Sequence, residues 1–391
     1  MPKKPYFYVH KDYEKALNRK LTLILLLCFG ILVPSSGQER PGFIKRIVDR
    51  ILAPSPQLDS AYIYQPRPHW NVSLSNSLRQ IGAFQTNEFE VGGEHVTLNS
   101  SLQERLYKGI GINAGYGSLQ LGYGREIGRK SAEYNKSNSF AYSVAGVSIN
   151  VDYYNLRQPM SYKLTTALPE NAIFEESSGT SEYPGQMKVL SVTTFYALNH
   201  KTFLYSSVYS GHKIQRRSAG SWVISGKYLQ GEIKADPKEK LSDLVYGLTR
   251  HATSQASLGA GYSYNFVPYH RQPGAASDLK GLRNLTVNVT AIPMLTLYDR
   301  HYSTRYILDP KTGDYTSRET RPLNSTMRFN YFTNVGASYS WDRFYLSLAA
   351  NYDIFTFKGT TKVFDSTTAT DIKTTGHFDR WSTVLQFNVK F

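Results

Sequence analysis

The sequence predicts an all-β protein, a transmembrane antiparallel β-barrel of about 12 strands, within a range of roughly 10 to 14. Three observations predict it: apolar and polar residues alternate with period two over long segments, Tyr and Trp lie near the segment ends, and the last alternating segment closes at Phe391. The mean hydropathy is -0.39. A polytopic helical membrane protein is excluded, because each spanning helix needs roughly 20 consecutive apolar residues and the longest apolar run is 21–33.

The first segment, 1–37, has the pattern of a secretory signal peptide. A basic stretch precedes the apolar run 21–33, and small residues follow it, so we expect cleavage after Gly37. An uncleaved anchor is the alternative, although the run is shorter than the roughly 17 residues that a span requires. Removing 1–37 also removes Cys28, the one cysteine, and lowers the formal charge from +15 to +11.

A lead-in segment, 38–68, separates the leader from the predicted barrel. Within it, 43–52 places Ile44, Ile47, Val48 and Ile51 on one helical face, the pattern of a short amphipathic helix. This helix could lie on the inner leaflet of the membrane, dock on a partner, plug the lumen or pack on the barrel mouth. Several prolines predict that the rest of the lead-in is extended.

The barrel domain is predicted over 69–391. In the last segment, Trp381, Leu385 and Phe387 alternate with Gln386 and Asn388. A soluble β-sandwich also alternates, so alternation does not decide by itself. The segments are longer than the five or six residues usual in soluble proteins and long enough to cross a bilayer at a tilt. Phe391 resembles the C-terminal signal that outer-membrane proteins present to the barrel assembly machinery.

The strand count is even, so both chain ends would lie on the periplasmic side. The long connections 83–104, 235–253, 298–323 and 359–378 would then be external. One segment, 155–186, does not fit, because it would be a long connection on the side where turns are short; a strand at 160–168 with a partner would raise the count to about 14. The predicted strands are 69–82, 105–116, 118–128, 139–154, 187–197, 202–212, 221–234, 254–267, 282–297, 324–340, 343–358 and 379–391.

No catalytic or metal motif assembles in this sequence. It has no Cys pair for zinc, no His-Glu-x-x-His and no Gly-x-Ser-x-Gly turn, and its histidines are scattered. We therefore predict no catalytic residue, no metal and no cofactor. The alternative is a lipid-modifying enzyme with Ser and His at the rim, in which His212 would act with Ser218 or Ser221.

The most unusual local sequence is QRRSAGS at 215–221. Two adjacent arginines flanked by hydroxyls could bind an anion or a phosphate, because a guanidinium offers paired donors. The alternative is a turn or lumen network whose arginines pair with acidic neighbours such as Glu232 and Asp236. The candidate residues are Gln215, Arg216, Arg217, Ser218 and Ser221.

Four stretches carry a family resemblance: FYALNHKTFLY at 195–205, QRRSAGS at 215–221, GYSYN at 261–265 and DSAYI at 59–63. Together with Gly226 they resemble a Bacteroidota outer-membrane family, domain of unknown function 4421, over about 58–391. Leu204 departs from the small polar residue that we expect there. The resemblance implies an outer-membrane-associated β protein and brings no catalytic residues.

These observations predict a non-enzymatic integral outer-membrane protein, either a narrow pore or a structural or assembly component of the Gram-negative envelope. A secreted soluble β protein is a further alternative. The expected partners are outer-membrane lipid, the barrel assembly machinery through the C-terminal strand, and an anionic solute that the positive charge would attract. An exported protein would not meet nucleic acid.

Overall fold

The computed structural model describes residues 58–391, apart from 66–69, 92, 104–106, 117–118, 127–135, 145–146, 168–173, 210, 212, 239–247, 273–278, 310, 320–322, 325–327 and 366–367. The predicted leader 1–37 with its cleavage at Gly37, and the predicted helix 43–52, lie outside the described residues. Among the helices of the described part, none is long and apolar enough to cross a membrane.

The described residues form an almost purely β structure with one 3-10 helix, Tyr205–Val208. The strands are β1 (Ile63–Tyr64), β2 (Trp70–Val91), β3 (Glu94–Gln103), β4 (Tyr107–Tyr116), β5 (Leu119–Glu126), β6 (Lys136–Val144), β7 (Val147–Ala167), β8 (Phe174–Ala197), β9 (Ile214–Gln215), β10 (Ala219–Lys234), β11 (Leu248–Arg271), β12 (Arg283–Leu308), β13 (Tyr315–Glu319), β14 (Leu323–Asn324), β15 (Arg328–Trp341), β16 (Phe344–Asp365) and β17 (Thr368–Lys390).

The large sheet closes into a ring of antiparallel strands. Its order is β11-β10-β8-β7-β6-β5-β4-β2-β17-β16-β15-β12, and β12 pairs back with β11. The chain enters the ring at Trp70 and leaves it at Phe391, whose N–H donates to the Trp70 carbonyl at 3.0 Å. We call this end of the ring the lower rim and the opposite end the upper rim. Both Trp222 and Trp341 also lie near the lower rim.

The number of strands differs between the two ends of the barrel. β3 and β4 run in the same direction and pair successively with β2, so they act as one long strand. The short hairpin β5–β6 lies beside β4 in the lower part, whereas β3 pairs directly with β7 in the upper part. In the described residues the ring therefore holds 12 strands at the lower rim and ten at the upper rim.

Two predicted strands are wrong, and the two errors cancel in the count. Segment 139–154 contains two antiparallel strands, β6 and β7, which pair directly with each other. The described residues of segment 202–212 contain the 3-10 helix and no strand. Because β6 and β7 run in opposite directions, β7 leads to the upper rim. The residues of 155–186 therefore lie there, in the paired upper parts of β7 and β8. The predicted connections 83–104 and 359–378 are likewise the extended ends of hairpins.

The barrel is apolar outside and polar inside over its lower half. Along β15, Phe329, Tyr331 and Val335 are exposed while Asn330 and Asn334 are buried. This is the reverse of a soluble protein and is the pattern of a barrel that faces lipid. The chain is thus a membrane β-barrel. We name the exposed outward set the apolar belt: Trp70, Val72, Leu74, Ile110, Ile112, Trp222, Ile224, Leu258, Tyr262, Tyr264, Phe266, Val289, Phe329, Tyr331, Val335, Tyr339, Phe344, Leu346, Leu348, Leu385 and Phe387.

The upper part of the barrel reverses this pattern. Its outward side chains include the exposed Lys358, Lys362, Asp371 and Lys373. Its inward side chains are large and apolar, whereas those of the lower half are polar. They contact one another across the lumen and form an apolar core. The core cluster comprises Ile81, Ala83, Leu102, Tyr154, Leu156, Met160, Met187, Val189, Leu229, Ile233, Phe355, Phe357 and Phe378.

Candidate functional site

The connection between β8 and β10, residues 198–218, turns inward and fills the lower lumen. We call it the plug. Its Phe203 and Tyr205 pack against the wall residues Phe195, Ile292 and Phe332. Phe195 and Tyr205 stack with ring centroids 4.6 Å apart. An apolar cluster thus lies inside a wall that is otherwise polar, and the plug supplies the residues that complete it.

Polar groups of the wall hold the plug from the other sides. The Tyr209 hydroxyl donates to Asn288 Oδ1 at 3.0 Å and also contacts Asn334. The Tyr345 hydroxyl donates to the Ser207 carbonyl at 3.0 Å. These contacts satisfy backbone and side-chain groups that would be costly to bury alone, so the plug is an integral part of the interior.

Gln215 is the hydrogen-bonding centre of the plug and is fully buried. Its Nε2 donates to the carbonyls of Thr202 at 2.7 Å and Arg217 at 2.9 Å. Its Oε1 accepts from the Leu204 N–H at 2.9 Å and from Asn265 Nδ2 at 3.2 Å. The side chain therefore ties both ends of the plug to β11.

The remaining candidates of the 215–221 motif lie in the same network. Arg216 donates from Nη1 to the Ser60 carbonyl at 2.6 Å and from Nε to His270 Nε2 at 3.3 Å. Arg217 is exposed, with its guanidinium 5.9 Å from the centre of the Tyr62 ring. The two arginines thus contact different partners. The alternative in which they pair with Glu232 is wrong for that carboxylate, because it lies at the other end of β10 beside Arg250.

The two serines of the motif are engaged with backbone groups. Ser218 Oγ accepts from the Val267 N–H at 2.9 Å. Ser221 Oγ accepts from the Asn199 N–H at 2.9 Å and donates to the Trp222 carbonyl at 2.7 Å. His212, their predicted partner in the enzyme alternative, lies outside the described residues. The lead-in joins this network through β1, which pairs with β9.

A layer of charged side chains, partly or fully buried, crosses the lumen above the plug. Lys227 Nζ lies 2.7 Å from Asp353 Oδ1, although their strands, β10 and β16, are not neighbours in the ring. Arg380 donates from Nε to Asp353 Oδ2 at 2.8 Å and from Nη1 to Asp152 Oδ2 at 3.0 Å. Nη1 also donates to the Tyr154 hydroxyl at 2.8 Å. We call Lys227, Asp353, Arg380 and Asp152 the ionic layer; its two cations and two carboxylates balance.

A cavity of about 20 Å³ adjoins the ionic layer. It is lined by apolar side chains, including Leu229 and Phe355, and by Asp353, Arg380 and Ser191. A cavity of this size holds about one water molecule. There is thus room here for a water beside the Ser191 hydroxyl and no room for a solute.

The structure also brings together two histidines that sequence reasoning treated as scattered. His251 and His301 stack with ring centroids 5.6 Å apart. Ser303 Oγ lies 3.0 Å from His251 Nδ1 and 3.3 Å from His301 Nε2. All three are almost fully buried, so the cluster does not face a substrate. No group of three or more His, Cys, Asp or Glu side chains in the described part of the chain has the arrangement of a metal site.

The sequence match that identifies the family covers most of the chain. The model named "Domain of unknown function (DUF4421)" matches residues 57–375. The chain belongs to this family. The match includes the plug, the ionic-layer residues Asp152, Lys227 and Asp353, and the wall as far as residue 375. In this member of DUF4421 the family domain thus covers the barrel except the last part of β17, which carries Arg380.

Comparison with solved structures returns bacterial outer-membrane proteins. The outer membrane protease OmpT from Escherichia coli is 9% identical, with 82% of this chain and 97% of that chain covered and a TM-score of 0.42. The translocator domain of the autotransporter NalP from Neisseria meningitidis is 12% identical, with 81% and 88% covered and a TM-score of 0.30. The β domain of the Bordetella autotransporter BrkA is 8% identical, with 81% and 99% covered and a TM-score of 0.24. No curated protein matches this DUF4421 chain.

Sequence reasoning missed the ionic layer and the plug. Lys227, Asp353 and Arg380 each occupy an inward position of an alternating strand. The alternation alone could therefore have predicted that the lumen carries charged side chains. The contacts among these three side chains could not be predicted from the sequence, because they depend on which strands face each other across the ring. The plug was hidden because 202–212 is as apolar and aromatic as a strand.

A buried lysine in the plug leads to a pH-dependence prediction. Burial lowers the pKa of Lys213 from its usual 10.5 to about 8. Between these two values the detached plug binds more protons than the docked one, so docking strengthens as pH rises from about 8 to about 10. We expect amide-exchange protection of 203–209, corrected for intrinsic exchange, to rise over this range and to stay flat in Lys213→Met. Protection that falls with pH in the unmodified chain would contradict this assignment.

Proposed function

We propose that this DUF4421 protein is a non-enzymatic integral outer-membrane β-barrel with a closed lumen, serving as a structural or assembly component of the Gram-negative envelope. One observation carries the proposal: the interior is filled at three successive levels, by the plug, the ionic layer and the apolar core. A narrow pore for an anionic solute is the second candidate, favoured by the polar lumen wall and the positive charge.

The closed interior argues against the pore as the resting state. A solute would have to displace the plug and then separate Lys227 from Asp353, two groups whose side chains are 1% and 2% exposed. Separation would leave charges in a water-poor interior at a cost of several kcal/mol. The closed barrel is therefore the more stable arrangement.

The non-enzymatic assignment is supported by the positions of the candidate hydroxyls. The Ser218 and Ser221 hydroxyls are already bound to backbone groups, and Ser303 is buried between two histidines. Its test is an assay of lipid turnover by the purified chain. Turnover that disappears in His212→Ala or Ser221→Ala would establish the enzyme alternative.

Outer-membrane lipid and the barrel assembly machinery are the proposed partners. The apolar belt is the surface that lipid would cover. The strand β17, which ends at Lys390 just before the exposed Phe391, is the element that the assembly machinery would recognise. Export through the predicted signal peptide is part of the same proposal.

The conductance of planar bilayers tests the closed lumen. We expect no steady ohmic current from the unmodified chain. We also expect none from a variant in which 202–212 is replaced by a glycine-serine turn, because the ionic layer still closes the lumen. Heat-modifiable migration on gels confirms in each case that a folded barrel is present. An anion-selective current from the unmodified chain would establish the pore.

A further inference from the structure

The described end of the lead-in is bound to both ends of the plug. Where the plug begins, the Asp59 N–H donates to the Lys201 carbonyl at 2.9 Å. Where the plug ends, β1 pairs with β9, so that Ile63 lies opposite Gln215. The lead-in therefore joins the two ends of the plug by backbone contacts.

Arg216 connects the lead-in to the barrel wall. Its backbone N–H donates to the Tyr62 carbonyl at 2.6 Å, and its Nη1 donates to the Ser60 carbonyl at 2.6 Å. On its other side, Nε donates to Nε2 of His270, near the lower end of β11, at 3.3 Å. One side chain thus contacts both the lead-in and the wall. We call Arg216 and His270 the latch.

The hydrogen bonds of the latch define the protonation state of His270. The Arg216 Nε–H group can only donate, so Nε2 of His270 carries a lone pair. The proton of the neutral ring is therefore on Nδ1, which donates to Asn284 Oδ1 at 2.9 Å. Asn284 Nδ2 in turn donates to Thr286 Oγ1 at 2.8 Å, which holds the amide in this orientation. The latch as it stands needs a neutral His270.

A second proton on His270 is incompatible with this arrangement. It binds at Nε2, the atom that accepts from Arg216, so two N–H groups would then face each other. It also places an imidazolium beside a guanidinium in a partly buried position, where like charges repel. Histidine side chains take up this proton around pH 6.5. Mild acid therefore breaks the contact between Arg216 and the wall.

The carboxylates of the described residues around the latch are already engaged. Asp342 accepts from the Gly281 N–H at 2.7 Å and lies 3.0 Å from Arg283 Nη1. Asp59 accepts from the Ala61 N–H at 2.8 Å. The other charged groups on the neighbouring segments are cations, which add to the repulsion: Lys201, Lys213, Arg217, Arg271, Lys280 and Arg343.

We propose that Arg216 and His270 form an acid-released latch, which holds the lead-in on the plug at neutral pH and frees it when His270 is protonated. Release uncovers the edge of β9, whose backbone groups can then pair with another extended segment. The plug stays in place, because Gln215 and Tyr345 bind it without the lead-in. The inference goes beyond the proposed envelope role and does not depend on it.

The test is amide exchange over 61–64, corrected for intrinsic exchange, in the full chain in lipid vesicles at pH 7.5 and pH 5.0. The test variant is His270→Gln, which stays neutral and keeps an acceptor for Arg216. The matched control is His200→Gln, which removes a histidine next to the Lys201 anchor and leaves the latch intact. Heat-modifiable migration shows for each protein that a folded barrel is present.

We expect protection over 61–64 in the unmodified chain to fall about tenfold on acidification, because a hydrogen bond from a charged donor is lost. His200→Gln should show the same fall, and His270→Gln should change by less than about twofold. If His270→Gln weakens the lead-in at both pH values, Arg216→Met keeps the proposal testable: its protection should be low throughout and independent of pH. Constant protection in the unmodified chain, or a full pH response in either His270→Gln or Arg216→Met, would overturn the proposal.

Discussion

Asp353→Asn is expected to lower the free energy of unfolding by about 3–5 kcal/mol, because it leaves the buried Lys227 and the partly buried Arg380 without their shared carboxylate. Lys227 loses its contact at 2.7 Å and Arg380 loses one of its two carboxylate partners. The Lys227 ammonium also lies 4.2 Å from the centre of the Phe355 ring, a contact too weak to replace the carboxylate. The measurement is the urea midpoint of the folded barrel in lipid vesicles.

The matched control for this change is Asp371→Asn. Asp371 pairs with Lys362 at 3.9 Å on the outer surface, where both side chains are more than half exposed. A pair of this kind contributes less than about 1 kcal/mol. Adding Lys227→Met to Asp353→Asn should recover part of the loss, because one uncompensated cation is removed. If Asp353→Asn and Asp371→Asn cost the same, the ionic layer does not hold the lumen closed.

Gln215→Ala is expected to release the plug while the barrel wall stays folded. The change leaves the Leu204 N–H and the Thr202 and Arg217 carbonyls without their buried partner. At about 1–3 kcal/mol for each unsatisfied group, docking of the plug should weaken by about 3–5 kcal/mol. The expected result is faster amide exchange over 203–209, by a factor on the order of 100 or more.

Ser218→Ala is the control for Gln215→Ala. It removes one hydrogen bond, to the Val267 N–H at the edge of the plug, and should change the exchange by about tenfold or less. Amides of β15 should keep their protection in both variants. Exchange over 203–209 that is unaffected by Gln215→Ala would mean that the apolar contacts of Phe203 and Tyr205 hold the plug without the Gln215 network.

The fold was largely predictable because alternation is a local property of the chain. Period-two alternation along β15 predicts directly which side chains are buried and which are exposed. Asn330 and Asn334 are buried, and Phe329 and Tyr331 are exposed. The direction of each strand was harder to predict, because β6 ends at Val144 and β7 begins at Val147, its direct partner. The reversal therefore adds only two residues to the alternating pattern. Because 139–154 was predicted to be one strand, 155–186 was assigned to the wrong end of the barrel.

The interior was less predictable because its contacts join residues that are far apart in sequence. Lys227 and Asp353 are 126 positions apart, and only the closed ring brings them together. Gln215 was selected for its place in an arginine-rich motif, yet the structure places it at the centre of a backbone network. The anion-binding reading of the motif remains a prediction, with Arg217 as its exposed member.

The most direct test of a closed membrane barrel is a spin-label scan along β15 in lipid vesicles, with single cysteines introduced from 329 to 340 in a Cys28→Ser background. Labels at 329, 331, 335 and 339 are predicted to be accessible to oxygen dissolved in the bilayer. Labels at 330, 334, 338 and 340 are predicted to be inaccessible both to oxygen and to a water-soluble nickel complex, because the lumen is filled. Access of the nickel complex to the second set would contradict the closed lumen, and loss of the alternation would contradict the membrane barrel.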